Sequence, residues 1–525
     1  MPQMRSRREQ VDAHRFITSR MNQALVLANP DSVERPLRRI GLSIFASVMI
    51  MVLIFGGFAI AALLNKGNDA PEVGSIITVK GTQSIYVYTY APGEEEAGGE
   101  PKLWPVANYT SALLLLQPYE GEPPVQDLKP ESLQGVPRGF PIGITGAPSE
   151  PPPTDSLLQH EDWNACTMPA EEGSKDSHML TQLVVEDLPE PEWLGDDQWL
   201  LARTAVGEGE ESGLYLLWND HKYPIHDDRI LNVLDLQMSE SVPLNDDMLK
   251  TIPSGAPLAA DVDQNYFGQD SGVSTSEHGT LKYGQTVETD GALFVLMQDE
   301  DNGDEFAEIS ETERRLLQDA TGSPTIQVSA SVKNDTGSQA SYGSNDFPQE
   351  VEELRTVDPA RFAICAVFDP DLGPKEAKME IAVYDTAPQT MTDAAKSMTL
   401  NEEGDIVSNV VGQTAQPVLP AGSAALVSSQ SAPGQTIQGI TYLVDSLGYR
   451  YGLVDIGESG STKKLLGYGG VDSIGVPDAM MELIPKGPDL DPATAKKQQQ
   501  PESDEIPVFE TGEDEGEGGE GGGEG

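Results

Sequence analysis

Residues Ile40–Leu64 read IGLSIFASVMIMVLIFGGFAIAALL, 25 positions without a charge. A helix of this length, at about 1.5 Å rise per residue, reaches roughly 37 Å and can cross a hydrocarbon core of about 30 Å with some tilt. A chain in hydrocarbon must satisfy its own backbone, so a lone span is a helix. Arg35, Arg38 and Arg39 stand at its N-terminal edge; Asn65, Lys66, Asn68 and Asp69 follow it with little net charge. The positive-inside rule places the N-terminus in the cytoplasm and the long C-terminal part outside. The run exceeds the core of a signal peptide, about 7–15 residues. The expectation is therefore an uncleaved anchor, despite the cleavage-like triplet Ala59-Ile60-Ala61. No other stretch approaches this length, which predicts a single-pass membrane protein.

The charge divides about this span. Residues 1–39 hold 8 Arg and 4 acidic residues, a net of +4. Residues 65–525 hold 25 basic against 81 acidic residues, a net of −56. So acidic a body speaks against nucleic acid as a partner. In the head, residues 8–27 form a predicted helix, with Val11, Ile17, Met21, Leu25 and Ala28 at spacings compatible with one face. A basic amphipathic helix beside a membrane rests on lipid or docks on a partner. Arg8, His14, Arg15, Phe16 and Arg20 are the candidate docking residues.

Cys166 and Cys365 are the only cysteines, and both lie beyond the span. An even number in an oxidising compartment points to one disulfide. The alternative, a metal-bound or nucleophilic thiol, lacks a CxxC partner or a His at convincing spacing.

Four hairpin-like units recur along the body: an apolar aromatic strand, a polar turn and a second short strand. They begin at Ser84, Leu214, Ala292 and Thr441. Three lead to a helix-like segment with one ending, LQGVPRG (133–139), LKTIPSG (249–255) and MELIPKG (481–487). Pro blocks continuation of a helix and Gly accepts the turn after it. Pro243 and Asn245 mark one predicted helix start, Pro477 and Asp478 another. The third unit instead carries a capping box, Ser310 to Glu313, before Arg314-Arg315-Leu316-Leu317. Strand-like runs between the units (181–185, 361–368 and 379–384) predict a central domain, with polar stretches (146–155 and 329–350) as separators.

The predicted class is α+β: one transmembrane helix, then an elongated extracytoplasmic region of four hairpin/helix repeats around a central β-containing domain with one disulfide. In chain order the expected parts are the head (1–39), the span (40–64), repeat 1 (70–140) and the first part of the centre (141–200). Repeat 2 (201–256), a central or linking segment (257–278) and repeat 3 (279–322) follow. The second part of the centre with its linker (323–418), repeat 4 (419–495) and an acidic Gly-rich tail (496–525) complete the chain. The last 25 residues hold 10 acidic residues and 8 Gly, too little apolar surface to fold alone.

Catalytic motifs are not in evidence. The dipeptide Gly-Lys never occurs, so no standard Walker A loop exists, and neither HExxH nor GxSxG is present. Ser461-Thr-Lys-Lys464 matches SxxK without its companion motifs. The acidic run 299–305 lacks EF-hand spacing. No catalytic residue, metal site or cofactor is expected.

Several longer stretches resemble the type VII secretion protein EccB family of actinobacteria. They are VDAHRFITSRMNQALV (11–26), RPLRR (35–39), PRGFPIGITGAP (137–148), LLGYGGVDSIGVP (465–477) and LIPKGPDLDP (483–492). The resemblance runs from about residue 8 to residue 495 and is thinnest in the third repeat. It implies a structural core subunit of the ESX inner-membrane complex, helping to build the periplasmic side of the export channel. It further implies assembly with the EccC ATPase, EccD, EccE and, in many systems, a mycosin protease, and dimerisation or higher oligomerisation. Some members carry an ATPase label, which the missing Gly-Lys does not support here. The rival expectation is a membrane-tethered extracytoplasmic hydrolase of nucleotide or cell-wall substrate.

Overall fold

The computed structural model describes residues 7–27, 36–65, 70–91, 99–116, 119, 121–169, 179–205, 213–261, 265–299, 303–339, 342, 347–348, 353–373, 375–395, 399–400, 406–407, 417–435, 437, 439–455 and 461–499. By internal packing it forms two units, one of residues 1–71, 79–82 and 127–135, the other of residues 72–78, 83–126 and 136–525.

The first unit contains helix α1 (Arg7–Leu27) and helix α2 (Pro36–Asn65). Within α2 the 18 residues Gly41–Phe58 are apolar and none is buried, the composition of a candidate membrane span.

Apart from residues 79–82 and 127–135, which fall to the first unit, a series of small sheets makes up the second. β1 (Ser75–Val79), β2 (Ile85–Thr89), β3 (Lys102–Pro105) and β4 (Val125–Leu128) form the first, in the order β3-β2-β1-β4. β5 (Leu157–Leu158), β6 (Trp163–Pro169), β7 (Met179–Val185) and β8 (Glu192–Trp193) follow. β9 (Gln198–Thr204), β10 (Leu214–Trp218), β11 (His221–Ile225) and β12 (Val242–Leu244) form the second sheet, in the order β11-β10-β9-β12. After the hairpin β13 (Asp270–Thr275) and β14 (Gly279–Lys282) comes the third sheet. It comprises β15 (Thr286–Thr289), β16 (Ala292–Asp299), β17 (Gly303–Glu308), β18 (Ile326–Gln327) and β19 (Ser338–Gln339). Then come β20 (Glu353–Leu354), β21 (Ala363–Phe368), β22 (Met379–Tyr384) and an isolated pair, β23 (Thr399–Leu400) with β24 (Ile406–Val407). The fourth sheet takes β25 (Ala424–Gln430), β26 (Thr441–Asp445), β27 (Arg450–Leu453) and β28 (Ile474–Pro477), in the order β27-β26-β25-β28.

The peripheral sheets share one path. A three-stranded meander is followed by a helix, and the chain returns to the open edge of the meander's first strand. In the second, third and fourth sheets that returning strand is parallel to the first. The first helices are α3 (Tyr109–Leu114), α4 (Arg229–Val233), α6 (Glu311–Thr321) and α9 (Thr462–Leu465). Between and after these lie α5 (Asp246–Thr251), α7 (Ala330–Thr336), α8 (Gln389–Ala395), α10 (Asp478–Glu482) and α11 (Pro492–Ala495). α5, α7 and α10 follow the returning strands, and a 3-10 turn (Pro130–Leu133) does so in the first unit of the series.

The shared PxG ending now has a cause. Each Pro carbonyl accepts the N–H of a residue on the third strand, and each Gly N–H donates back to that residue. The residue is Leu103 for Pro137 and Gly139, Lys222 for Pro253 and Gly255, and Arg450 for Pro485 and Gly487. The next residue along the strand is aromatic. A Cβ built on Gly139 would lie 2.2 Å from Trp104, one on Gly255 2.3 Å from Tyr223, and one on Gly487 2.5 Å from Tyr451. Only glycine leaves room for that ring.

The third sheet corrects one alignment. The helix begun by Ser310 is α6, which follows the meander, so it corresponds to α3, α4 and α9 and not to the helix before PxG. Its capping box is present, with Ser310 Oγ accepting Glu313 N–H and Glu313 Oε2 accepting Ser310 N–H at 2.8 Å. The counterpart of PxG is Gly337-Ser338-Gln339, where Phe306 N–H donates to the Gly337 carbonyl. The residue after Phe306 is Ala307, so no ring has to be accommodated.

Other boundaries shift for reasons of packing. Residues 257–278, expected in the centre or as a linker, divide between neighbours. Leu258 joins the core of the second sheet, and Val273 of β13 joins that of the third. The third sheet reaches to β19, beyond the expected end at 322. Pro243 lies inside β12, and Asn245 alone caps α5 by accepting Asp247 N–H at 3.2 Å. The Pro-rich stretch 146–155 is no spacer, since Pro148 O accepts Thr110 Oγ1 and Pro152 O accepts Tyr468 OH. Most of the tail (500–525), and much of the polar stretch 329–350, lie outside the described residues.

The central sheet has the order β7-β6-β21-β22-β8. Its middle pair, β6 and β21, is antiparallel with Cys166 directly opposite Cys365, and the two form a disulfide across 199 residues of chain. The halves on either side match. β5 precedes β6 and pairs with β25, while β20 precedes β21 and pairs with β9. Each half lends a strand to the other's sheet, and the disulfide lies on the pseudo-two-fold axis between them. Helices α5 and α10 meet on the central sheet. One apolar core joins its face (Trp163, Ile364, Phe368) to the second and fourth sheets (Leu217, Val427) and to α5 and α10 (Met248, Met480).

Two outcomes follow for stability. Gly487→Ala should cost about 1–3 kcal/mol by overpacking against Tyr451, while Gly470→Ala, with open space around its Cβ, should stay within about 0.5 kcal/mol. Urea unfolding of the two variants decides; equal midpoints would reject the glycine–aromatic contact as the cause of the motif. The Cys166→Ser, Cys365→Ser double variant should lose up to roughly 5 kcal/mol on the loop-entropy model. Ready labelling of two thiols in the native protein would disprove the bond.

Candidate assembly site

Two regions carry the residues singled out from the sequence, the head helix and the disulfide-clamped centre. On α1, Val11, Ile17, Met21 and Leu25 are 50–79% exposed. At about 100° per residue, His14 falls on their stripe, Arg8 and Arg15 lie beside it, and Phe16 and Arg20 lie opposite. The five candidate docking residues therefore do not share a face. Thr18 Oγ1 donates to the His14 carbonyl at 2.6 Å, and the Arg20 guanidinium stands 5.7 Å from the Phe16 ring centre. Phe16 itself is 64% exposed. Arg38 and Arg39 lie in the first turns of α2, whereas Arg35 falls outside the described residues.

Cys166 and Cys365 are fully buried, on the face of the central sheet turned away from the second and fourth sheets. Among the described residues no group of three or more His, Cys, Asp or Glu could hold a metal ion. Ser461 stands at the N-cap of α9, and Thr462 N–H and Oγ1 bond to Asp455 Oδ1 and the Val454 carbonyl. The SxxK match is thus a helix start. His226 is exposed, and His178 is outside the described residues.

One end of the central sheet gathers carboxylates that the sequence reading missed. Asp162 precedes β6, Asp187 follows β7, Asp369 and Asp371 follow β21, and Glu380 lies on β22. They converge only because strands more than 190 residues apart pair here. Burial, with Asp369, Asp187, Glu380 and Asp371 nearby, pushes the Asp162 carboxyl up to about 6. Lys378 offsets part of this charge, 2.9 Å from Glu380 and 3.1 Å from Asp220 in the turn between β10 and β11. His160 Nδ1 lies 2.8 Å from Asp371 Oδ1, which raises the imidazole pKa.

Comparison with known proteins places this architecture. Residues 4–502 match the family model described as type VII secretion system ESX-1, transport TM domain B. The chain belongs to this family, the EccB proteins. The ESX-1 secretion system ATPase EccB1 of Mycolicibacterium smegmatis is 30% identical over 183 residues, 34% of each chain. EccB1 of Mycobacterium tuberculosis is 32% identical over 146 residues, 27% of each chain. The matched stretch thus spans about a third of these curated relatives. A chain of an intact ESX-5 inner membrane complex superposes with a TM-score of 0.64 at 18% identity, covering 96% of this chain and 98% of that one. An EccB3 dimer from the ESX-3 core complex gives 0.56 at 19% identity, covering 80% and 99%. These likenesses establish the EccB fold: one apolar N-terminal helix, then a β-rich region with one disulfide.

The Asp162 cluster sets a pH dependence. A carboxyl raised in the folded state favours the protonated form, so its cost is full above about pH 6 and is relieved toward the ordinary carboxylate value. Thermal stability should therefore rise as pH falls from 7 to 4.5, and Asp162→Asn should flatten that rise while stabilising the protein at pH 8. Parallel pH profiles for wild type and variant would remove Asp162 as the source.

Proposed function

We propose that this chain is a structural subunit of a type VII secretion membrane complex and builds the extracytoplasmic part of its export channel. The observation that carries the reading is the EccB family match over residues 4–502, which takes in the apolar helix and the clamped sheets together. On this reading α2 spans the inner membrane with Arg35, Arg38 and Arg39 on the cytoplasmic side, and the four peripheral sheets are repeats about the centre in the periplasm. The partners are the EccC ATPase, EccD, EccE and, in many systems, a mycosin protease, with a second copy of this chain beside it. α1 is the docking piece. Its exposed apolar stripe with His14 faces a partner, and Arg8 and Arg15 lie toward anionic lipid.

The chain is read as a non-enzyme. The relatives named EccB1 carry the word ATPase, but this chain lacks the Gly-Lys of a standard phosphate loop. Deleting residues 7–27 should abolish co-purification of EccC-like and EccD-like chains from native membranes while leaving the protein anchored. Full assembly of the truncated form would defeat the docking role. Purified full-length protein should show no ATP turnover above background; turnover lost through one point substitution would revive the hydrolase reading.

A further inference from the structure

On the outer face of the central sheet the register sets one row across four strands. Gln182 of β7 lies opposite Cys166, Cys166 opposite Cys365, and Cys365 opposite Ala382 of β22. Residues paired in this way share a face, with Cβ atoms about 4.5–5.5 Å apart, which puts the Cys166 sulfur within reach of the Gln182 amide. Gln182 is 1% exposed and both cysteines are fully buried. Neither Oε1 nor Nε2 of Gln182 has a hydrogen-bond partner among the described residues. The surroundings on this face are apolar, among them Met168, Leu180, Val184 and Val367. An amide left unpaired there costs stability. The pseudo-two-fold axis carries Gln182 onto Ala382, so the sheet itself requires no polar residue at this place.

The orphan has a partner in the other redox state of its neighbour. Bridged sulfurs have no hydrogen to donate to Oε1 and accept only weakly from Nε2, whereas a thiol can do both.

We propose that Gln182 is the hydrogen-bond partner of the reduced clamp, unpaired beside the disulfide and paired with the Cys166 thiol once the bond opens. It thereby makes the clamp easier to reduce by a dithiol while the body stays folded. A thiolate of the dithiol attacks Cys365 Sγ, the S–S bond breaks, and Cys166 Sγ leaves as a thiolate that accepts the Gln182 Nε2–H. The second thiol of the reductant then displaces Cys365 Sγ and closes its own disulfide. Two electrons and two protons pass to the cysteines, and the Cys166 S–H donates to Gln182 Oε1. Burial slows the attack but leaves the equilibrium untouched, and the equilibrium is what Gln182 sets. The inference is independent of the assembly reading.

The test equilibrates full-length protein in nanodiscs with mixtures of reduced and oxidised dithiothreitol, traps free thiols with a maleimide and counts them by mass. Gln182→Met, which keeps the length and removes the amide, should need a reduced-to-oxidised dithiothreitol ratio about ten-fold higher for half-reduction. Gln182→Leu, run beside it, should move the same way and guards against one variant that packs badly. In urea, either substitution should raise the unfolding midpoint of the oxidised protein and lose that gain in the reduced protein. Three results would overturn the proposal. They are an unchanged half-reduction ratio in both variants, an equal urea shift in the two redox states (the mark of an amide satisfied by water), or loss of the folded body's tryptophan fluorescence on reduction of the wild type.

Discussion

The antiparallel pairing of β6 with β21, locked by Cys166 opposite Cys365, is the constraint on which the β-rich body depends. These strands lie 199 residues apart, so closing that loop is among the largest entropic costs in the fold. The disulfide removes much of that cost by restricting the unfolded chain. Once the pair is set, β7 and β22 add as local hairpins on either side. β5 and β20, each just ahead of a central strand, are then delivered to the sheet of the opposite half. The exchange makes the two halves interdependent, so neither second nor fourth sheet is complete without the other's leading strand.

Burial on both faces explains what could be read from the sequence and what could not. Ile40–Leu64, the four hairpins and the Ser310 capping box were legible, because each rests on contacts close in sequence. β9 and β25 were not. In β25, Ala425 and Val427 face the central core while Ala424 and Leu426 face the core shared with the first sheet. With both faces covered, the polar–apolar alternation that marks a half-exposed strand disappears. The returning strands β12 and β28 are only three and four residues long and contain proline, which reads as a turn. The disulfide could be inferred from cysteine count alone, but the Asp162 cluster could not, since no local spacing announces a convergence of distant strand ends.

The head shows the limit of periodicity from the other side. The helix was legible, but composition alone grouped Arg8, His14, Arg15, Phe16 and Arg20 as one docking set. The turn of about 100° per residue separates them onto three sides. A single partner surface can engage His14 with the apolar stripe, or the Phe16–Arg20 pair, and the opposite side is left to lipid or to a second chain. Basic charge distributed in this way suits a helix held between a membrane surface and a protein.

The third sheet departs from its relatives in ways that have one origin. Trp104, Tyr223 and Tyr451 each require a glycine across the sheet edge, and that need preserves PxG in three of the four. With Ala307 in place of the ring the requirement lapses, and β19 closes the edge by strand pairing instead. The third sheet also contributes nothing to the central core, whose members come from the central, second and fourth sheets. Freed from both demands, it carries the longer α6. The first sheet is equally remote from the central core but keeps the Trp104–Gly139 contact, so distance from the centre does not by itself remove the motif.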